Sequence, residues 1–284
     1  MRPSRVRRRL GLRSLGLVLS ACAPAAACAE GSIPLDPRVA AYVEVPAGTF
    51  LMGCTAGQQL CDDDEAEHQV TLTRSFLIAE TEVTQAQFEA ALGYNPARFT
   101  DCGIDCPVES VSWHEAVAFA NALSVEAGLI ECYSCVGSSA NVQCEIAADP
   151  YGCEGFRLLT EAEWEDAARC GEDLMFAGSN ELSDVAWHQG NSGGSTHIVA
   201  RKAPNACGLY DMSGNVWEWT QDWYADVSSE PVTDPSGPAE GFARVNKGGG
   251  WGSTVSYERV AMRHQGGVDA HTFSFGFRVG RLAE

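Results

Sequence analysis

Residues 204–224 read PNACGLYDMSGNVWEWTQDWY, and the placement of this stretch decides the fold. It gathers Trp217, Trp219 and Trp223, three of the seven tryptophans, beside Tyr210 and Tyr224. Aromatic rings supply a rigid buried platform. Asp211 and Glu218 bracket a small-residue turn at Ser213, Gly214 and Asn215. Such a turn points backbone carbonyls inward. Carboxylates and carbonyls together form the oxygen set that a hard cation such as calcium takes. The same residues also fit an ion-free reading, with Asp211 capping the turn and Glu218 paired with an arginine.

Five further stretches stand around it: VPAGTFLMG at 45–53, ETEVTQAQF at 80–88, PVESVSWHEAVAFAN at 107–121, RLLTEAEWEDAAR at 157–169 and GFRVGR at 276–281. With GLYDMSGNVWEW they resemble, in the same order, the signature words of the formylglycine-generating enzyme family, also called sulfatase-modifying factors. The resemblance covers roughly residues 43–282. It implies an α+β fold, a variant of the C-type-lectin arrangement with little regular secondary structure and abundant ordered coil. It also implies a calcium site in which Asp211 and Glu218 give side-chain oxygens while Gly214 and Val216 give carbonyls. A second, weaker site would use Asn191 and the Gly193 carbonyl.

The family's enzymes oxidise a cysteine in a sulfatase segment to formylglycine with dioxygen, using two cysteines that hold Cu(I). Those cysteines lie between a GGSW-like word and the GFR word. Here residues 247–259 read KGGGWGSTVSYER, and no cysteine follows Cys207. Counted without gaps, Ser253 and Glu258 take the two positions. Cu(I) is a soft ion that selects sulfur, and neither replacement supplies it. Copper is therefore not expected, and whether the chain is an enzyme stays open. The groove expected from the resemblance is lined by Trp251, Ser253, Glu258 and Arg263. A sister branch holds iron in a histidine-rich helical domain, which this sequence lacks. G-x-S-x-G and the phosphate-loop spacing are absent as well.

Composition narrows the compartment and the partners. Arg2, Arg5, Arg7, Arg8, Arg9 and Arg13 precede a short apolar run at Leu15–Ala21, the pattern of an export signal over 1–21. Leu19-Ser20-Ala21-Cys22 resembles a lipoprotein box, which predicts lipidation of Cys22 and a flexible tether over 22–40; Ala27-Cys28-Ala29 is the competing signal-peptidase site. The expected location is the cell envelope, with the lipid anchor as the membrane contact. The formal charge is −19. Without the six N-terminal arginines, 13 basic residues face 38 acidic ones, a balance of −25. That excludes nucleic acid and anionic membrane surfaces as natural partners. A peptide, protein or small-molecule ligand remains.

Between Cys54 and Cys207 stand ten cysteines, an even number that suits an exported disulfide framework. Cys54 and Cys61 flank one short loop, and Cys102 and Cys106 another. An insert at about 131–155 holds four cysteines. Pairing 132 with 153 and 135 with 144 makes a nested knob, one of three possible connectivities. Cys170 and Cys207 remain. Tyr42–Met52 reads as a strand pair turning at Pro46-Ala47-Gly48, and His68–Ile78 as a further strand. The acidic run Asp62–Glu67 reads as a solvated loop. Capping boxes start three helices, with Thr84 before Gln87, Ser112 before Glu115 and Thr160 before Glu163. The chain thus reads as one domain over 41–284: a calcium-stabilised binding module or, alternatively, an oxidoreductase with altered active-site residues.

Overall fold

The computed structural model describes residues 41–55, 58 and 60–283. The signal segment, the tether and Cys22 lie outside them. The elements in chain order are β1 (Tyr42–Val45), β2 (Gly48–Met52), β3 (His68–Leu72), β4 (Phe76–Ala79), α1 (Gln85–Leu92), α2 (Trp113–Ala127), β5 (Tyr133–Val136), β6 (Gln143–Ile146), α3 (Glu161–Arg169), α4 (Leu182–Val185), β7 (Trp217–Trp223), β8 (Val232–Thr233), β9 (Arg244–Lys247), β10 (His264–Gly266), β11 (Phe275–Gly276) and β12 (Gly280–Leu282). The fold is the α+β, coil-rich variant expected from the resemblance. Residues 186–216 contain neither helix nor strand and yet are tied at most turns by hydrogen bonds.

Each expected helix starts where its capping box predicts. Thr84, Ser112 and Thr160 accept from the N3 backbone amide, and Gln87, Glu115 and Glu163 reach back to the cap. α1 and α2 stop at Gly93 and Gly128 in the left-handed region. α3 stops at Cys170 in the same conformation, pinned by its disulfide to Cys207. All ten cysteines between 54 and 207 are paired: 54–61, 102–106, 132–153, 135–144 and 170–207.

Strand pairing departs from the sequence reading. β1 pairs with β4, whereas β2 pairs with β3, so the run Tyr42–Met52 contributes to two sheets instead of forming one hairpin. The run His68–Ile78 likewise splits into β3 and β4. A local turn signal fixes where a chain bends, while the sheet edge it joins depends on distant strands. The acidic run is also not simply solvated. Glu65 is buried and forms a two-pronged pair with Arg259, at 2.5 and 2.7 Å. Asp64 accepts from the Tyr224 hydroxyl.

β7 carries the tryptophan stretch through the middle of a sheet ordered β10-β9-β7-β11. Its alternation sends Trp217 and Trp219 one way and Glu218, Thr220 and Asp222 the other, and all five are buried. The Trp219 indole donates to the Val111 carbonyl at 3.0 Å, and the Trp113 indole to the Thr220 carbonyl at 3.0 Å. These two bonds lock α2 onto the sheet. Phe88, Phe119 and Phe277 pack nearby, ring on ring. The insert is a β5–β6 hairpin whose directly opposed Cys135 and Cys144 are bonded. It lends Tyr133 and Val142 to the main core, having too little apolar surface for its own.

Candidate functional site

The turn between Leu209 and β7 exists because Asp211 and Asn215 adopt left-handed backbone angles, φ 55° and 60°, around Gly214 at φ 90°. Asp and Asn tolerate that region better than other residues with a side chain. At Gly214 a Cβ would lie 2.6 Å from the Trp187 carbonyl oxygen, so only glycine fits. Asn215 is the hub of the turn. Its side-chain amide donates to Glu82 at 2.7 Å, its Oδ1 accepts from His197 N–H at 2.9 Å, and its carbonyl accepts from Trp251 N–H at 2.7 Å.

Three carboxylates converge behind this turn: Glu82, Asp211 and Glu218, all at most 1% exposed. Glu218 accepts from Arg278 twice, at 2.6 and 2.7 Å, and from the Trp164 indole at 2.7 Å. Glu82 accepts from Val216 N–H at 3.0 Å. Asp211 accepts from Ala200 N–H at 2.7 Å through Oδ2, while Oδ1 is buried without a partner. Arg278 is the one guanidinium in the group, and Lys202 acts on Asp211 only from the half-exposed face of Trp187. Burial pushes Asp211 up to about 6. Burial, with the charges of Asp211 and Glu218, pushes Glu82 well above the usual carboxylate range.

The arginine partner anticipated for Glu218 is thus present, yet it does not balance the pocket. Three carboxyl groups face one guanidinium, and burial pushes up the two that it does not bond, Glu82 and Asp211, because buried charge is costly unless paired. Of the six oxygens, Asp211 Oδ1 is the one without a protein donor, since both oxygens of Glu82 and of Glu218 already accept. At the weaker position, Asn191 Oδ1 accepts from His188 N–H at 2.8 Å and Nδ2 donates to the Ala186 carbonyl at 2.9 Å. The amide there is spent on its own turn, next to Gly193.

On the other side of Asn215 the chain runs through Gly248 and Gly249, both left-handed, into a cleft of about 390 Å³. Trp217, Trp251 and Phe273 wall it, and Ser192 and Ser253 present hydroxyls. Trp251 is held by an edge contact with Phe99 at 5.3 Å and by its indole donating to the Phe273 carbonyl at 3.0 Å. Ser253 Oγ accepts from Gly250 N–H at 3.1 Å. Glu258 faces the same amide without reaching it in bonding geometry. It is wholly buried, both its oxygens lack a partner, and a Cβ on Gly249 would meet it at 2.5 Å. Burial holds its carboxyl well above the usual range, which favours the protonated form.

Arg263 does not join Trp251 in this cleft. It is buried elsewhere, clamped on Glu161 at 2.6 and 3.0 Å, and lines a separate cavity. Its place in the sequence beside β10 fixed its strand and not the face it serves. Glu82, Arg278 and Trp164 were missed as site residues, although each lies inside a quoted word. Among the described residues, the one compact group of three metal-ligand side chains is Cys54, Cys61 and Glu65, and there the sulfurs are joined to each other.

A family model, the sulfatase-modifying factor enzyme 1-like domain, matches residues 31–283. A chaperone protein, LppX of Paenibacillus barcinonensis, is 32% identical over 72% of this chain and 79% of its own length. The formylglycine-generating enzyme of Streptomyces coelicolor is 31% identical over 94% of this chain and 98% of its own. Among solved structures, variable protein 1 of Treponema denticola superposes with a TM-score of 0.74 at 33% identity, covering 85% of this chain and 95% of that one.

Proposed function

We propose that this chain, which belongs to the sulfatase-modifying factor family, is a calcium-stabilised module that holds a peptide or small ligand in the Trp251–Ser253 cleft and lacks the family's copper chemistry. One observation carries this reading. The two positions that resemble the family's thiolates hold Ser253 and Glu258, and the ten cysteines between 54 and 207 are consumed in disulfides. A hydroxyl and a carboxyl offer hard oxygen, and neither suits a soft monovalent metal. Aromatic walls with a few fixed polar groups suit an extended, partly apolar ligand. The relative named a chaperone supports a role in polypeptide binding. Calcium at Asp211, Gly214, Val216 and Glu218 is part of the same reading, supported by the unpartnered Asp211 Oδ1 in the turn.

The test is a Cu(I) competition titration of the purified domain. No stoichiometric copper should be held against a competing chelator. One tightly held Cu(I) per chain, lost in Ser253→Ala, overturns the reading and restores the oxidase.

A further inference from the structure

A second cavity, of about 280 Å³, shares no wall with the aromatic cleft. It lies between the start of α3, the end of β7 and the segment 235–238. Met52, Trp223 and Pro235 supply apolar surface, and Asp222, Glu161 and Arg263 are its charged walls. Its volume sits near the small end of ligand pockets, which start at about 300 Å³.

The charges in it are unequally matched. Arg263 is taken by Glu161 and by the Ala225 carbonyl at 2.9 Å. Glu161 is further balanced by Lys247 at 4.0 Å. Glu163, behind the wall, is paired with Arg157 at 2.6 Å. Arg244 stacks on Trp223 and Trp113, at 3.4 and 4.1 Å, and donates to the Gln221 carbonyl. His68 has its Nδ1 on the Ala66 carbonyl. Among the described residues no cationic group donates to Asp222, which is only 4% exposed. Its Oδ2 accepts from Glu161 N–H at 2.8 Å, and its Oδ1 takes no hydrogen bond at the cavity wall facing Gly237. Asp226 adds a second acid at the rim.

We propose that this cavity binds a small organic ammonium ion, with Asp222 Oδ1 as its counter-ion and acceptor and with Trp223, Met52 and Pro235 around its apolar body. Asp222 Oδ1 opens on the cavity and takes no hydrogen bond from a described residue, so an ammonium group can meet it with both a positive charge and an N–H donor. Apolar walls around one buried acid that is free of Arg263, with Glu161 taken by that guanidinium and Asp226 at the rim, favour an amine carrying a hydrocarbon body over an inorganic cation, which needs several oxygens. Burial, reinforced by Glu161, raises Asp222 to about 8. Binding a cation favours its charged form, so occupancy at pH 7 expels a proton.

The probe is phenethylammonium, titrated into the protein by calorimetry, with 2-phenylethanol and 3-phenylpropionate as the neutral and anionic analogues. Saturable one-to-one binding of the amine alone is expected, weakened at least tenfold in Asp222→Asn, whose amide oxygen still accepts from Glu161 N–H. Glu230→Gln, an exposed acid, controls for general charge. In the wild type, heats measured in two buffers of different ionisation enthalpy should report proton release at pH 7 and much less at pH 9, where Asp222 is mostly charged and the amine, a little more acidic than the lysine ammonium of about 10.4, stays mostly protonated. Equal binding by Asp222→Asn, equal binding of the alcohol, or binding without proton release at pH 7 each overturns the proposal.

Discussion

Two glutamates forty residues apart on either side of the same turn, Glu218 and Glu258, are both wholly buried, and their surroundings could hardly differ more. Glu218 accepts three hydrogen bonds, two from Arg278 and one from Trp164. Glu258 accepts none. Paired, a buried carboxylate is a structural tie; alone, it is forced to keep its proton. The comparison separates what the fold requires from what it merely tolerates. The Glu218 side holds the coil together by charge. On the Glu258 side a carboxyl stands at a position that resembles one of the family's thiolates, and no described residue donates to it.

The sharpest way to break this comparison is to remove the tie. Arg278→Met leaves Glu218, Asp211 and Glu82 buried with no guanidinium, and breaking a buried pair costs about 3–5 kcal/mol. Urea unfolding should show a loss of that size. A loss under about 1 kcal/mol, comparable to an exposed pair, would mean that the cluster is balanced by something other than Arg278.

Calcium comes next. At a hundredfold excess over Kd, an ion that binds only the folded state adds about 2.7 kcal/mol. Chelation should lower the melting temperature accordingly, and Asp211→Asn should erase most of the difference. The pH dependence has a definite sign. Without the ion, the folded state keeps on Asp211 a proton that the unfolded chain releases near pH 3.9, so stability falls as pH rises from about 4 towards the folded value of about 6. The ion favours the charged form, so its stabilising effect should be larger at pH 7 than at pH 5. A wild type insensitive to chelator at both pH values would leave the turn held by protonation and Arg278 alone.

The smallest expected effect is on the other side. Glu258→Gln keeps size and removes the proton equilibrium. The folded pKa of Glu258 is raised, so the wild type loses stability relative to the variant as pH climbs above about 4.3, by about 1.4 kcal/mol per pH unit until the folded pKa is passed. The two proteins should be alike at pH 4 and the variant the more stable at pH 8. A variant less stable at pH 8 would show that Glu258 is ionised and partnered after all.

Much of this was legible in the sequence. The capping residues, the even cysteine count and the order of the family words are local or countable, and the structure has them as read; the insert's pairing, one of three connectivities the sequence allowed, comes from the structure. What sequence could not give is pairing at a distance. Glu82 reaches Val216 across 134 residues and Arg278 reaches Glu218 across 60, and nothing local distinguishes these acids from solvated ones. The same reason hid the burial of Glu65 against Arg259 within an acidic run. It put Arg263 in the wrong cavity, and it joined β1 to β2 when each belongs to another sheet.

The measurement that bears most directly on the central claim is an aldehyde assay. A cysteine-containing sulfatase peptide is incubated with the purified protein, dioxygen, a thiol reductant and added Cu(I), and formylglycine is read by mass spectrometry. No aldehyde above the peptide-alone control is predicted. Aldehyde that forms with the wild type and disappears in Ser253→Ala or Glu258→Gln would contradict the account, because those side chains would then be performing the chemistry assigned in this family to sulfur.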